Sequence, residues 1–347
     1  MKFNAVVGNP PYQTVNKGDG NGADPVYHLF IDMGNSIGEV CTFIHPSRFL
    51  FNAGKTPKDW NKKMLQDSHY KVVSYWANSI EVFPNVDVMG GIAITMYDKN
   101  TEGSAIGFFS AYAELQSILN KVHASNFESF ADLVYPRDLY HLTETLYTEN
   151  PLLDKRQSKG HKYDCGSGVF DVFPEIFTEN KPNDIEEYAQ VYGRIGNNRV
   201  YRWVKRKYLK TPDNFDFYKV FIPKANGSGA IGEVLSTPVV GQPVVGDPVV
   251  GHTVTFLSIG KFNTKEEANA CLKYVMTKFA RCLLGALKVT QDNPRETWTH
   301  VPLQDFTDKS DIDWSKSVAE IDKQLYAKYN LDDTEIAFIE SMIKPME

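Results

Sequence analysis

The stretch Phe3-Asn4-Ala5-Val6-Val7-Gly8-Asn9-Pro10-Pro11-Tyr12 restricts this chain more than any other. Ala5 to Val7 is a short apolar run that reads as a buried strand, and Gly8 ends it. Pro10 and Pro11 then fix φ and remove two N–H donors, which stiffens the backbone and leaves its carbonyl oxygens open to accept. Asn9 adds a carboxamide and Tyr12 a flat aromatic face. In open α/β sheets, ligand sites collect beyond the carboxyl ends of strands. Two acceptors can hold the two hydrogens of a planar amine while a ring stacks on its π-face, which turns the nitrogen lone pair outward. The same four residues also make an ordinary strand end with a Pro-Pro turn, because Asn and Pro are common turn formers. The residues alone leave both readings open.

Asn-Pro-Pro-Tyr after an apolar strand resembles the catalytic motif of amino-group methyltransferases that use S-adenosylmethionine. The adenine-specific DNA methyltransferases of restriction-modification systems are the foremost of these. The resemblance implies a catalytic set of Asn9, Pro10, Pro11 and Tyr12. The Asn9 side chain and the Pro10 carbonyl would accept from the adenine amine, and Tyr12 would stack on the flipped base. Methyltransferases acting on protein glutamine share these four residues, so the motif specifies the chemistry better than the substrate.

The next residues keep the same order as that family. Residues 13–23 are polar and Gly-rich and read as a loop. Asp24-Pro25 opens a helix with Asp as cap and Pro in the first turn. Val26, Tyr27, Leu29, Phe30 and Met33 form its apolar face. A strand over Glu39–Ile44, a helix over Trp60–Gln66 and a strand over Lys71–Trp76 follow. After a turn at 81–89 comes a strand over Gly91–Tyr97. His45 and Arg48 are expected as loop formers rather than catalysts. In TaqI-like enzymes a Val-Phe-Pro turn at this point supplies an aromatic opposite the tyrosine, and Phe83 matches it. Phe83 is equally suited to plugging a core. The resemblance covers residues 1–100.

One departure concerns the cofactor. In that family the cofactor-binding half normally comes first, yet only eight residues precede Asn9. The S-adenosylmethionine site is therefore expected to be incomplete, with an N-terminal segment or a partner chain supplying the rest. Asp164-Cys165-Gly166-Ser167-Gly168-Val169-Phe170 resembles a glycine-rich cofactor loop. The residues ahead of it, SKGHKY, are not an apolar strand, and an isolated Gly-x-Gly is a weak signal.

Composition sets outer limits. A chain of 347 residues suits about two domains. Cys41, Cys165, Cys271 and Cys282 are scattered without a Cys-x-x-Cys, which argues against a zinc site or a disulfide framework. No metal is expected, and no nuclease metal cluster is visible. Asn9-Pro10-Pro11 interrupts any apolar leader, and no apolar run approaches a membrane span. A cytoplasmic location is expected, with no membrane partner. The net charge of -6 looks wrong for a DNA binder. Residues 301–347, however, carry 11 acidic and 5 basic side chains, leaving 32 of each sign in residues 1–300. The acidity belongs to the tail, and a basic face elsewhere stays possible.

That face is expected at 191–210, which holds seven basic residues and no acidic one. Gly196-Asn197-Asn198 suggests a hairpin turn. Strand alternation puts Tyr201 and Trp203 on one face and Arg202 on the other. Basic groups interleaved with aromatics suit phosphate contact and base stacking. Arg194, Arg199, Arg202, Trp203, Lys205, Arg206 and Lys207 are the candidate DNA contacts; the bland alternative is a solvated charged hairpin. Lys224–Ala230 is a glycine loop that would allow close backbone approach. Thr237–Gly251 is three tandem pentads, TPVVG, QPVVG and DPVVG, expected as an extended surface arm because proline disfavours a central strand. One helix is expected over Thr264–Leu287, and two in the tail, separated near Asn330.

The expected class is α/β. A partial Rossmann-like methyltransferase sheet over residues 1–105 would precede a mixed α+β target-recognition domain over 106–347 with a helical tail. The expected function is adenine-specific methylation of double-stranded DNA within a restriction-modification system, with S-adenosylmethionine as methyl donor. The alternatives are a non-catalytic DNA-recognition subunit and a protein-glutamine methyltransferase, and the long basic and aromatic second half weighs against the latter.

Overall fold

A computed structural model describes residues 2–14, 24–51, 54–85, 88, 90–103, 105–226, 242–288 and 292–346. The architecture is mixed α/β, with several small sheets. The chain forms two compact units, Met1–Gln116 and Ser117–Glu347.

The first unit holds β1 (Phe3–Gly8), α1 (Tyr27–Ile37), β2 (Gly38–Pro46), α2 (Lys58–Gln66), β3 (Tyr70–Trp76) and β4 (Ile92–Asp98). Its four-stranded sheet has the order β1-β2-β4-β3. β1 and β2 are parallel, while β4 is antiparallel to both β2 and β3. The carboxyl ends of β1, β2 and β3 therefore share one edge with the start of β4. Tyr27, Phe49, Trp60, Met64 and Tyr70 fill the core. Helix α1 approaches β2 closely because position 34 is glycine: a Cβ there would lie 2.4 Å from the Phe43 ring. The Trp60 indole N–H donates to Asp32 at 3.0 Å and ties α2 to α1.

The expectation of a buried first strand is not met. β1 is an edge strand among the described residues, with Val7 80% and Phe3 43% exposed. Its apolar sequence suits a parallel strand covered on both faces, and here only β2 flanks it.

α3 (Ala113–Ala124) runs across the boundary between the units, with Leu115, Ile118, Leu119 and Val122 all buried as their spacing predicts. The second unit continues with β5 (His141–Leu142), α4 (Glu144–Glu149), α5 (Val169–Val172), β6 (Tyr188–Ile195), β7 (Asn198–Lys205), β8 (Leu209–Lys210) and β9 (Tyr218–Pro223). After them come β10 (Val244–Gly246), β11 (Val250–His252), β12 (Phe256–Phe262), α6 (Lys265–Met276), α7 (Lys278–Leu287), α8 (Val318–Lys328) and α9 (Asp333–Met342). The sheets are β10-β9-β12, β11-β6-β7 and the short pair β5-β8. The buried Lys219 ammonium donates to the carbonyls of Phe215, Phe217 and Asp247 at 2.8, 2.8 and 3.1 Å, pinning β9 to the turn ahead of β11.

Two expectations need correction here. The single helix over 264–287 is two, α6 and α7. Thr277 takes ψ 148° and its hydroxyl accepts from the Ala280 amide, so it caps a new helix instead of continuing the old one. The segment 150–165 is anchored: Leu153 and Cys165 are buried, and Lys162 pairs with Asp154. The described pentads are not a surface arm. QPVVG supplies β10, DPVVG supplies most of β11, and both lie at sheet edges, where proline is tolerated. The first pentad and residues 227–230 of the glycine loop lie outside the described residues.

Candidate functional site

The sheet edge of the first unit gathers three chain segments. Asn9–Tyr12 leaves the end of β1, Ser47-Arg48 leaves the end of β2, and residues 77–91 connect β3 to β4. Asn9 and Pro11 are exposed, Pro10 is buried and Tyr12 is half-buried. The Tyr12 carbonyl accepts from the Val26 amide at 3.1 Å, and Gln13 and Pro25 form a bridge. The four residues are thus tied directly to the start of α1. The Tyr12 hydroxyl is buried without a hydrogen-bond partner among the described residues. Such a group is costly to leave unmade, and burial raises its pKa.

A polar and aromatic brace underlies this edge, and sequence reasoning missed it. His45 is fully buried in β2 and is not a loop former. Its Nδ1 lies 3.0 Å from the Pro46 carbonyl, which only accepts, so Nδ1 carries the proton. Its Nε2 then accepts from the Thr95 hydroxyl of β4 at 2.7 Å. Thr95 in turn accepts from the Tyr70 hydroxyl of β3 at 2.6 Å. The Tyr27 ring stacks on the imidazole at 5.6 Å with a 3° interplanar angle. One imidazole therefore links β2, β4 and α1, and burial pulls its pKa down to about 4. The only sequence signal for this was a histidine at a strand end beside proline.

The β3–β4 connection is equally constrained. The Ser47 amide donates to Gly91, and its hydroxyl donates to Gly90 at 2.5 Å. Gly91 sits at φ +85°, and a Cβ there would lie 2.2 Å from the Trp76 carbonyl oxygen, so glycine is required. Phe83 is half-buried, with its amide bonded to the Ser79 carbonyl at 2.8 Å. The topology thus brings Asn9–Tyr12 and the Phe83 loop to the same sheet edge.

In the second unit, β6 and β7 form the expected hairpin around Gly196, which takes φ +56°. The candidate DNA contacts divide into two groups. At the hairpin base, Lys205 pairs with Glu186 at 3.2 Å, and Lys207 with Glu149 and Glu186 at 2.9 Å each. Arg206 pairs with Asp216 at 3.2 Å and packs 4.6 Å over the Phe215 ring. These three cations are already engaged by acids outside the basic window. Toward the turn, Arg194 is exposed and stands opposite Arg199 across the strands. Arg202 is on the other face and donates to the Tyr201 carbonyl. Trp203 exchanges backbone hydrogen bonds with Thr178, and Lys181 lies 5.6 Å over its indole.

Among the described residues, none completes a cofactor site. Asp164–Gly168 follows a turn instead of a strand and leads into the four-residue α5, and the Cys165 carbonyl accepts from Val254. This is not the strand–loop–helix that places phosphate- or ribose-binding amides. Among the described residues no group of three His, Cys, Asp or Glu side chains is arranged to hold a metal, and no helix is long and apolar enough to cross a membrane.

Residues 1–83 match the family described as Eco57I restriction-modification methylase. An "Uncharacterized adenine-specific methylase" of Mycoplasma pneumoniae (strain ATCC 29342 / M129 / Subtype 1) is 27% identical over 109 residues, covering 30% of this chain and 26% of that protein. The similarity therefore spans about a quarter of the relative's length.

Proposed function

We propose that this chain is the catalytic and DNA-recognising part of an adenine-specific DNA methyltransferase of a restriction-modification system. The observation that carries this reading is the placement of Asn9–Tyr12 at a sheet edge, within the segment that matches the methylase family. The Asn9 carboxamide and the Pro10 carbonyl accept the two amine hydrogens of an adenine drawn out of the duplex. Tyr12 stacks on one face of that base, and Phe83 closes the other. Holding both hydrogens would turn the nitrogen lone pair outward, away from the two acceptors. The methylase match implies S-adenosylmethionine, which would supply an electrophilic methyl when bound. A cofactor-binding segment or partner chain provides that part of the site. Double-stranded DNA is held by the second unit through the β6–β7 hairpin.

The test is methylation in cells. The chain is expressed with its flanking genomic region in a host that lacks adenine methylation, and the host DNA is sequenced for methylated adenine. Methylation at a defined site with the wild type, lost with Asn9→Ala, supports the reading. Equal methylation from both would sink it. A non-catalytic recognition subunit is the second reading, favoured by the misfit of Asp164–Gly168 to a cofactor loop. It predicts DNA binding with no methylation under any complementation.

A further inference from the structure

The outer face of the β6–β7 hairpin carries a feature that the basic residues alone do not explain. Cross-strand partners share a face, so Tyr192 and Tyr201 lie together, as do Arg194 with Arg199 and Gln190 with Trp203. On the opposite face Ala189, Val191 and Val204 are buried in the core, while Arg202 on the same face is partly exposed. On the outer face Tyr201 is 39% exposed, yet it rests on buried rings. Its ring lies 4.7 Å from Tyr192, which is 4.5 Å from Phe256 and stacks on Phe221 at 6.0 Å with a 15° interplanar angle. Tyr192, Phe221 and Phe256 are all buried. Tyr201 is thus the exposed member of a four-ring cluster centred on Tyr192 and anchored on two sheets.

Cations flank this ring. Arg199 lies 5.6 Å over Phe256 and donates to the Gln242 carbonyl at 2.7 Å, which fixes its guanidinium. Arg194 faces it across the strands, next to the turn. The Asp247 carboxylate acts on the Tyr201 hydroxyl and is itself paired with Lys265 at 3.2 Å.

We propose that Tyr201 is a stacking platform for a nucleobase that has left the helix stack, with Arg194 and Arg199 taking the adjoining phosphate. Within a duplex each base face is covered by its neighbours, so a platform of this kind engages only unstacked bases. Expulsion of a base from a duplex disturbs the stack around it, and unstacked bases of that kind are what Tyr201 would capture. Trp203 does not serve this role, because Lys181 lies 5.6 Å over its indole. The inference rests on the DNA-binding reading above.

The experiment measures binding of the full chain to a labelled duplex with a one-nucleotide bulge and to the same duplex fully paired, by fluorescence anisotropy across a salt series. Tyr201→Ala should weaken binding to the bulged duplex by about five- to a hundredfold while barely changing the paired one. Tyr201→Phe should bind like the wild type, because it keeps the ring. Tyr201→Ala should leave the log–log salt slope unchanged, whereas Arg194→Ala should lower it by roughly 0.9 on the paired duplex. Equal effects of Tyr201→Ala on both duplexes, no effect on either, or a Phe variant as weak as Ala would overturn the platform while leaving DNA binding standing. A wild-type chain that binds neither duplex would instead overturn the DNA-binding reading itself.

Discussion

On the proposed reading, Asn9 would act in the reaction without contributing to the fold: it is exposed and follows β1 instead of packing inside it. In a complemented complex, Asn9→Ala should abolish methyl transfer while circular dichroism and DNA affinity stay near wild type, since its hydrogen bond acts on the amine in the transition state. Tyr12→Ala should instead weaken capture of the flipped base by roughly 1–3 kcal/mol, read from a fluorescent base analogue at the target position. His45 yields a pH prediction. Its folded pKa of about 4 lies below the usual histidine value, so the unfolded chain binds the proton more readily. Its stabilising contribution is complete above about pH 6.5 and is lost as pH falls toward 4, on the order of 3 kcal/mol in all. Hydrogen exchange of β2 and β4 amides should accelerate over that window in the wild type and not in His45→Phe; identical profiles would refute the assignment. The Asn9–Tyr12 motif is legible in the sequence because it is four consecutive residues, within the segment that matches the methylase family. The role of His45 is not, because its partner Thr95 lies 50 positions away and only β2–β4 pairing brings them together.

Elements whose cause is local were the readable ones. The β6–β7 hairpin follows from alternation and a Gly-Asn turn, and α6 starts at Thr264, whose hydroxyl accepts from the Glu267 amide. The break between α6 and α7 was hidden, since apolar periodicity runs straight through Thr277 and only its cap geometry shows two helices. Thr277→Ala should cost about 1–2 kcal/mol, measured as a lower urea midpoint with an unchanged m-value. A window of basic residues likewise conceals its acidic partners: Glu149, Glu186 and Asp216 all lie outside 191–210. Lys205→Ala with Lys207→Ala should therefore reduce the salt slope of DNA binding by less than the roughly 1.8 expected for two lost phosphate contacts. A full reduction would mean that DNA displaces Glu149 and Glu186.

Across the whole chain, the methylase-like part is a four-stranded sheet whose outer strand is apolar in sequence and open in structure. Val7 and Phe3 on β1 and Leu29, Phe30 and Met33 on α1 are all exposed. Calorimetry of the isolated chain with S-adenosylmethionine should show weak binding or none, because Asp164–Gly168 does not form a cofactor loop and the described strands do not build one elsewhere. Micromolar affinity would locate a cofactor site that these elements do not make. The order of strands and helices in the first unit could be followed from sequence because each alternates with a turn signal. The exposure of β1 could not, since an apolar run reads as buried regardless of what lies beside it.

The tandem pentads have a consequence for how this gene can change. Two near-identical words, QPVVG and DPVVG, are put to different uses: Val244 lies in a strand, whereas the equivalent Val249 sits at φ +62°. Each glycine is locked against a ring, Gly246 on Phe221 and Gly251 on Tyr140, where a Cβ would lie within 2.5 and 2.9 Å. Repeats of this kind lengthen and shorten when DNA replication slips. Loss of either described word would remove a glycine fitted to its ring, Gly246 on Phe221 or Gly251 on Tyr140, so a slip through this stretch acts on two sheets at once.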